Sequence, residues 1–163
     1  MANAYYGKNI LGELSDGQTL PNAGSVDSTN MVAIGGPTLG KLWIDVYAAT
    51  AITIANTYVL HIAMQGFTAD TASSATAPHS ISNKSGILGA SGTVLTEGTA
   101  YYYLMHMTAG SAGVTWAIND LICQAAIPED MFRLLSYDFV QLVYTTTANE
   151  ASEKVNAFVY TKL

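Results

Sequence analysis

The residues best suited to chemistry in this sequence are three histidines, one cysteine and a serine in a glycine-rich stretch. His61, His79 and His106 are far apart, and none has a second histidine or a carboxylate at the spacing of a metal-binding motif. Ser91 is not followed by the helix that a nucleophile elbow needs. Cys123 lies among strand-forming residues and is predicted to be a buried thiol. The sequence therefore predicts a protein that is not an enzyme and that has no metal and no cofactor.

Aromatic side chains are the other residues that could bind something. The chain has ten tyrosines and two tryptophans, and several of them, such as Trp43 and Trp116, occur in or near predicted strands. Aromatic rings stack on the faces of sugars, which would suit a carbohydrate-binding or receptor-binding surface. They also anchor protein interfaces, because they bury a large area and keep a polar group for hydrogen bonding. We favour core and interface positions over a ligand platform.

Composition indicates assembly more clearly than chemistry. The chain has six Lys or Arg and twelve Asp or Glu residues, only 11% of 163, and a net charge of −6. An average soluble domain is about 25% charged, so much of this surface is neutral, and we expect other subunits to cover it. An acidic chain with scattered basic residues is not suited to nucleic acid. No apolar run approaches the length of a membrane helix, and the N-terminus lacks the pattern of a signal peptide. We expect a protein made and kept in a cytoplasm until it assembles.

The elements that would position these residues are predicted to be strands. Apolar and polar residues alternate most clearly over 41–47, 58–65, 137–145 and 155–161, which is the period of a half-buried strand. In the first of these, Leu42, Ile44 and Val46 are predicted to face the core and Asp45 to face outward; in the second, His61 faces outward. Weaker strand candidates cover 30–34, 51–55, 93–96, 100–107 and 121–127.

Turn residues separate these strands. Each of the segments 16–17, 22–24, 35–37, 97–98 and 147–150 contains at least one of the turn-forming residues Gly, Asn, Asp and Pro. No amphipathic segment is long enough for an extended helix, although 128–132 suits one short turn. Short strands with regular turns predict an all-β fold, an antiparallel β-sandwich of the jelly-roll type.

Three segments do not fit the strand pattern. Residues 1–14 are predicted to form an apolar arm, and 15–163 a single sandwich domain. Within that domain, 68–92 form a long Ser, Thr, Ala and Gly-rich loop insertion, and loops of that length are usually functional or disordered. Residues 109–120 form a third, shorter loop that is predicted to expose a tryptophan. The candidate contact residues for capsid or inter-subunit binding are Tyr5, Tyr6, Ile10, Leu11 and Trp116.

The order of several short motifs resembles a known family. SDGQTL at 15–20 is followed by STNMVAIG at 28–35 and by the strand LWIDV at 42–46, and MFRLLSY at 131–137 precedes the last strand pair. This order resembles the small cement, or decoration, proteins on the capsids of tailed bacteriophages. The similarity covers most of the chain. The long insertion and the tyrosine-rich third quarter depart from that family.

The resemblance implies a jelly-roll-like sandwich that binds outside the major capsid protein and reinforces contacts between capsomers. It implies the virion as location, the major capsid protein as partner and a homo-oligomer, either dimer or trimer. Neither nucleic acid nor membrane is an expected partner. The alternative is a carbohydrate-binding or receptor-binding sandwich of a phage tail.

Overall fold

The computed structural model describes residues 8–34, 41–55, 57–67, 102–127, 139–149 and 152–162. These residues form strands and no helix, so none of them belongs to a helix that could cross a membrane. The strands are β1 (Lys8–Thr19), β2 (Asn22–Asp27), β3 (Val32–Ala33), β4 (Leu42–Ala48), β5 (Ile52–Ile54), β6 (Val59–Phe67), β7 (Tyr102–Thr108), β8 (Val114–Trp116), β9 (Leu121–Ala126), β10 (Phe139–Asn149) and β11 (Lys154–Lys162).

Two larger sheets and one short ribbon contain these strands. The first sheet has the order β1-β11-β4-β9, and the second has the order β2-β10-β6-β7 with β3 also paired to β10. The ribbon consists of β5 and β8. Every pairing is antiparallel. The prediction of an all-β, antiparallel sandwich is therefore confirmed.

A single apolar core is shared by the two larger sheets. Ile44 and Val46 of β4, Val159 of β11, and Ile62 and Met64 of β6 are all fully buried in it. These side chains alternate along their strands as the sequence predicts, because successive residues of a strand point to opposite faces. Burying one large aliphatic side chain contributes about 1.5–3 kcal/mol, so the alternating pattern supplies the main stabilisation of the sandwich.

The outer faces of the two sheets are more buried than the sequence predicts. Asp45 and His61 lie on the side of their strands away from the core, as expected, but they are only 1% and 2% exposed. Both belong to strands with a neighbour on each side, β4 between β11 and β9, and β6 between β10 and β7. A polar residue in the middle of a sheet has side chains of both neighbouring strands beside it. The sequence of a single strand does not show which strands will flank it, so this burial could not be predicted.

The predicted arm over residues 1–14 is wrong for its second half. Residues 8–14 form the first part of β1 and pair with β11, where Lys8 is opposite Lys162 and Glu13 is opposite Phe158. Leu14, expected in the arm, is fully buried in the core. Residues 1–7 lie outside the described residues. The sandwich domain therefore begins before residue 15.

Register shifts explain why β1 was missed. The pairing with β11 shifts between Ile10 and Gly12, between Glu13 and Ser15, and between Ser15 and Gln18. Each shift inserts residues that break the period of two. The predicted turn at 16–17 falls in the third shift, where Gly17 has a φ of +58°, so it is an irregularity within a strand. The predicted turn at 22–24 is instead the start of β2.

The other predicted segments divide into confirmed strands and segments outside the described residues. The four clearest strands correspond to β4, β6, β10 and β11, and four of the weaker ones correspond to β3, β5, β7 and β9. The predicted loop 109–120 contains the short strand β8, which pairs with β5. The long insertion at 68–92, the strand at 93–96, the turn at 128–132 and the closing motif at 131–137 lie outside the described residues.

Ser28 connects three segments at one side of the sandwich. Its hydroxyl donates to the Asn30 carbonyl at 2.8 Å and accepts from the Leu142 amide at 3.1 Å. Its own amide donates to the Leu142 carbonyl, and the Asn30 amide donates to the Leu14 carbonyl of β1. These bonds join β1, the 28–30 segment and β10. The serine and asparagine of the STN motif therefore have a role in the fold.

Candidate interaction surface

Of the five predicted contact residues, the structure describes three. Ile10 and Leu11 lie in β1, an edge strand of its sheet, and they are 39% and 43% exposed. Ile10 is opposite Tyr160 of β11, and Leu11 is the additional residue at the first register shift. Tyr5 and Tyr6 lie outside the described residues. The predicted apolar contact at Ile10 and Leu11 therefore belongs to an ordered strand and not to a free arm.

Trp116 is less exposed than the sequence predicts. It lies in β8 opposite Ile52 of β5, and its side chain is half-buried against the core. The pairing of β5 with β8 brings Trp116 against the core. The sequences of these two short strands do not by themselves show that they pair. Trp116 is therefore a packing residue of the sandwich.

A second exposed apolar group, missed in the sequence, occurs at the turn before β9. Ile118 is 58% exposed and Leu121 is 46% exposed. The turn between them is tightly held: the Ala117 amide donates to the Asp120 carboxylate at 2.7 Å, and Asn119 has a φ of 71°. The Asn119 amide also donates to the Ala48 carbonyl at the end of β4. An isoleucine beside Asn-Asp turn residues is the signal in the sequence that could have identified this group.

The outer face of the four-stranded sheet carries a hydrogen-bonded carboxylate among aromatic rings. Oδ1 of Asp45 accepts from Nε2 of Gln124 and from the Tyr160 hydroxyl, both at 2.9 Å. Oδ2 accepts from the Tyr47 hydroxyl at 2.8 Å. Nε2 of Gln124 also donates to the Tyr160 oxygen at 2.8 Å. The network joins β4, β9 and β11, and it satisfies a carboxylate that would otherwise be costly to bury.

Trp43 lies on the same outer face, next to this network. It is opposite Tyr160 on β11 and Ala126 on β9, and its side chain is half-buried. The Lys162 ammonium lies 3.5 Å from the centroid of the Trp43 ring. Such a cation–π contact is worth about 0.5–1 kcal/mol at an exposed site. A planar ligand that stacked on this side of the ring would have to displace Lys162.

Two titratable groups close to the Asp45 carboxylate, the Cys123 thiol and the Tyr160 hydroxyl, are held in their neutral forms. Burial raises the pKa of the Cys123 thiol to about 12, and the charge of Asp45 adds to the effect. Burial also raises the pKa of Tyr160, and its hydrogen bond to the Asp45 carboxylate raises it further. A thiol with such a pKa is a poor nucleophile at neutral pH. The prediction that Cys123 is an unreactive packing residue is consistent with this environment.

The hydroxyl groups in the core are structural as well. The Ser15 and Tyr144 hydroxyls, both fully buried, share a hydrogen bond of 2.8 Å. Burial raises the pKa of Tyr144, and the hydrogen bond to Ser15 acts in the opposite direction. Among the described residues, no group of three or more His, Cys, Asp or Glu side chains is placed to hold a metal ion. The described part of the chain therefore offers contact surfaces and internal polar networks.

Comparisons with protein-family models, with curated proteins and with solved structures found no match to this chain.

Proposed function

We propose that this chain is a structural protein of a virus particle, which binds the outside of the assembled capsid shell and reinforces contacts between capsomers. Its partners are the major capsid protein and further copies of itself, and it is made in the host cytoplasm. One observation carries the proposal: two exposed apolar groups, Ile10 with Leu11 and Ile118 with Leu121, are fixed on ordered backbone in a chain that is only 11% charged. Contiguous exposed apolar surface marks interaction sites, and each of these two pairs of neighbouring side chains could form part of such a surface. The resemblance of several short motifs to those of cement proteins adds to this support.

A cement role follows physically from contacts of this kind. A protein that binds the assembled shell and not its free subunits stabilises the shell by mass action. Each contact can be modest, because many copies act on one particle and their binding energies combine. Apolar groups held by a strand and by a tight turn lose little conformational entropy on binding. Neither a nucleophile nor a cofactor is needed for such a role.

The stoichiometry of this chain in purified virus particles tests the proposal. We expect a fixed ratio to the major capsid subunit, with copies in the hundreds per particle, measured by quantitative mass spectrometry of particles from the source culture. A handful of copies would indicate a tail component and support receptor binding instead. Absence from particles would overturn the proposal.

Variants then test the contact groups. The double substitutions Ile10→Ser with Leu11→Ser, and Ile118→Ser with Leu121→Ser, should each reduce rebinding to stripped particles. Tyr58→Ser is the control, because Tyr58 is also a large exposed side chain, 42% exposed, and it immediately precedes β6 in the other sheet. Wild-type rebinding by both double variants, with folding confirmed by circular dichroism, would exclude these side chains as contacts.

A second candidate function is carbohydrate or receptor binding on the outer face of the four-stranded sheet. Its support is the half-buried Trp43 beside Tyr47 and the Asp45 network, since aromatic rings with polar neighbours suit sugar recognition. The Lys162 ammonium over the ring opposes this use. Retention of a glycan on an array, lost in Trp43→Ala and strengthened in Lys162→Ala, would support this candidate over the cement role.

A further inference from the structure

Strand β2 has an accessible edge. It is an edge strand of the five-stranded sheet, and among the described strands it pairs only with β10. Its residues Ser25 and Asp27 are exposed. The edge strand β1, by contrast, is already bonded to another segment, because the Asn30 amide donates to the Leu14 carbonyl. An accessible edge presents unpaired backbone groups to which a strand of another chain can bond.

The register of β2 shows which of its backbone groups face away from β10. The Ser28 amide donates to the Leu142 carbonyl at 2.8 Å, so it faces β10. In an antiparallel pair, the backbone groups of successive residues point alternately toward the partner strand and away from it. The register is regular from Gly24 to Asp27, so Ser25 and Asp27 direct their amides and carbonyls outward. No described residue forms a backbone hydrogen bond with these outward groups.

This edge is complementary to a second copy of itself. With a twofold axis at Val26, Ser25 of one copy lies opposite Asp27 of the other, and the reverse. Both residues present outward backbone groups, so the two pairs form four hydrogen bonds between the strands. The two Asp27 Cα atoms are then about 8 Å apart, from a rise of ~3.4 Å per residue and a strand spacing of ~4.8 Å. Like charges are therefore not directly opposed, which would be destabilising.

The side chains add a specific contact to this register. Directly opposed residues share one face of a sheet, so the Ser25 hydroxyl of one copy meets the Asp27 carboxylate of the other. The Ser25 and Thr145 hydroxyls share a hydrogen bond of 2.7 Å, and when Thr145 donates, the Ser25 proton is available to a carboxylate. Partial burial raises the pKa of Asp27, and no hydrogen bond from the described residues offsets this effect. A second copy supplies the donor that Asp27 lacks.

We propose that this chain forms a dimer in which the β2 strands of two copies pair antiparallel about a twofold axis at Val26, so that two five-stranded sheets become one continuous sheet. The inference rests on the self-association included in the proposed function, and it names the strand responsible. Neither exposed apolar group takes part, so both remain accessible to the shell. An interface limited to one strand edge is small, and interfaces below about 1,200 Å² are typical of weak, reversible association.

Cysteine crosslinking of the full-length protein tests the register. Val26→Cys in a Cys123→Ala background places two thiols at the twofold axis. The Cα atoms of a non-hydrogen-bonded pair are about 4.5 Å apart there, which a disulfide can span. We expect covalent dimers on mild oxidation, measured by non-reducing electrophoresis. Ser25→Cys in the same background is the matched control and should crosslink at least about tenfold more slowly, because its Cα atoms lie about 8 Å apart.

A proline variant tests the backbone hydrogen bonds. Sedimentation equilibrium of the wild-type protein should show a reversible monomer–dimer equilibrium. Ser25→Pro removes an outward amide, and edge strands tolerate proline where the N–H faces solvent, so circular dichroism should show a native fold. The variant loses two of the four interface bonds, and its dimer dissociation constant should rise at least about tenfold. Ser25→Ala keeps the amide and should raise the constant less.

The outcomes separate this dimer from the cement role. A protein that stays monomeric at every concentration, a dimer as stable in Ser25→Pro as in the wild type, or faster crosslinking of Ser25→Cys than of Val26→Cys would overturn the proposal. If Ser25→Pro does not fold, the crosslinking rates decide the question alone. The number of copies per virus particle is measured independently, so failure of the β2 interface and failure of the proposed function are distinguishable.

Discussion

Replacing Asp45 should destabilise the fold more than any other single change on the outer face of the four-stranded sheet. Asp45→Ala removes an acceptor from three hydrogen bonds, those from Tyr47, Gln124 and Tyr160. A hydrogen bond to a charged group contributes about 1.5–3 kcal/mol. Tyr47 is half-buried and regains water, and Tyr160 keeps its bond from Gln124. The expected loss in the free energy of unfolding is therefore about 3–5 kcal/mol, less than the sum of three bonds.

Two further variants separate the network from simple loss of volume. Asp45→Asn keeps the shape and one acceptor oxygen, and should cost about 1–2 kcal/mol. Tyr47→Phe removes one bond from a half-buried hydroxyl and should cost less than about 1.5 kcal/mol. Asp45→Ala should therefore be the most destabilising of the three variants, followed by Asp45→Asn and then Tyr47→Phe.

Urea unfolding followed by tryptophan fluorescence measures these differences, because Trp43 lies next to the network. The m-value should stay constant, so that a shift of the midpoint reports stability alone. A loss below about 1 kcal/mol for Asp45→Ala, or one no larger than that of Tyr47→Phe, would refute the view that this carboxylate organises β4, β9 and β11.

Three other outcomes are expected. Gly12→Ala places a Cβ within 2.8 Å of the Val32 side chain and should lower the free energy of unfolding by about 1–3 kcal/mol. In a double-mutant cycle measured by thermal melts, the variant that combines Gly12→Ala with Val32→Ala should lose less stability than the two single variants added together. Full additivity would contradict the close contact. Because the pKa of Cys123 is raised to about 12 from 9.0, this thiol should lower the free energy of unfolding by about 1.4 kcal/mol per pH unit as pH rises above 9. Cys123→Ala should remove that slope in urea melts between pH 9 and 10, below the range in which Tyr144 and Tyr160 add their own losses. Deleting residues 1–14 should destabilise the protein strongly, because half of β1 is removed, and circular dichroism of that variant should show loss of strand signal; a truncation with native stability would contradict the role of β1.

The sequence predicted the strands β4, β6, β10 and β11, and the core faces of β4 and β6, because apolar and polar residues alternate along these segments. It failed on β1 and β2 for different reasons. Register shifts with β11 interrupt the alternation of β1. Strand β2, an edge strand of its sheet, is mostly exposed and has few apolar residues to alternate. A period of two is detectable only where one face of a regular strand is buried. Neither the irregular β1 nor the mostly exposed β2 meets that condition.

The polar network could not be predicted from local sequence. Asp45 was placed on the correct face, but its partners Gln124 and Tyr160 are on strands that only the sheet order brings beside it. Of the predicted contacts, Ile10 and Leu11 are exposed, whereas Trp116 packs against the core because β8 pairs with β5. Contacts between strands that are distant in sequence therefore determine both the partners of Asp45 and the burial of Trp116.

The pairing of β1 with β11 has a consequence for how the chain is made. The first described strand finds its partner in the last one, with Lys8 opposite Lys162. At 5–20 residues per second, a ribosome needs roughly 7–30 s to pass from one strand to the other. During that interval the apolar residues of β1 have no partner strand, and sheets with such non-local pairing fold slowly. Nascent chains stalled before β11 should therefore recruit chaperones and resist folding, whereas synthesis of β11 allows the first sheet to close in one late step.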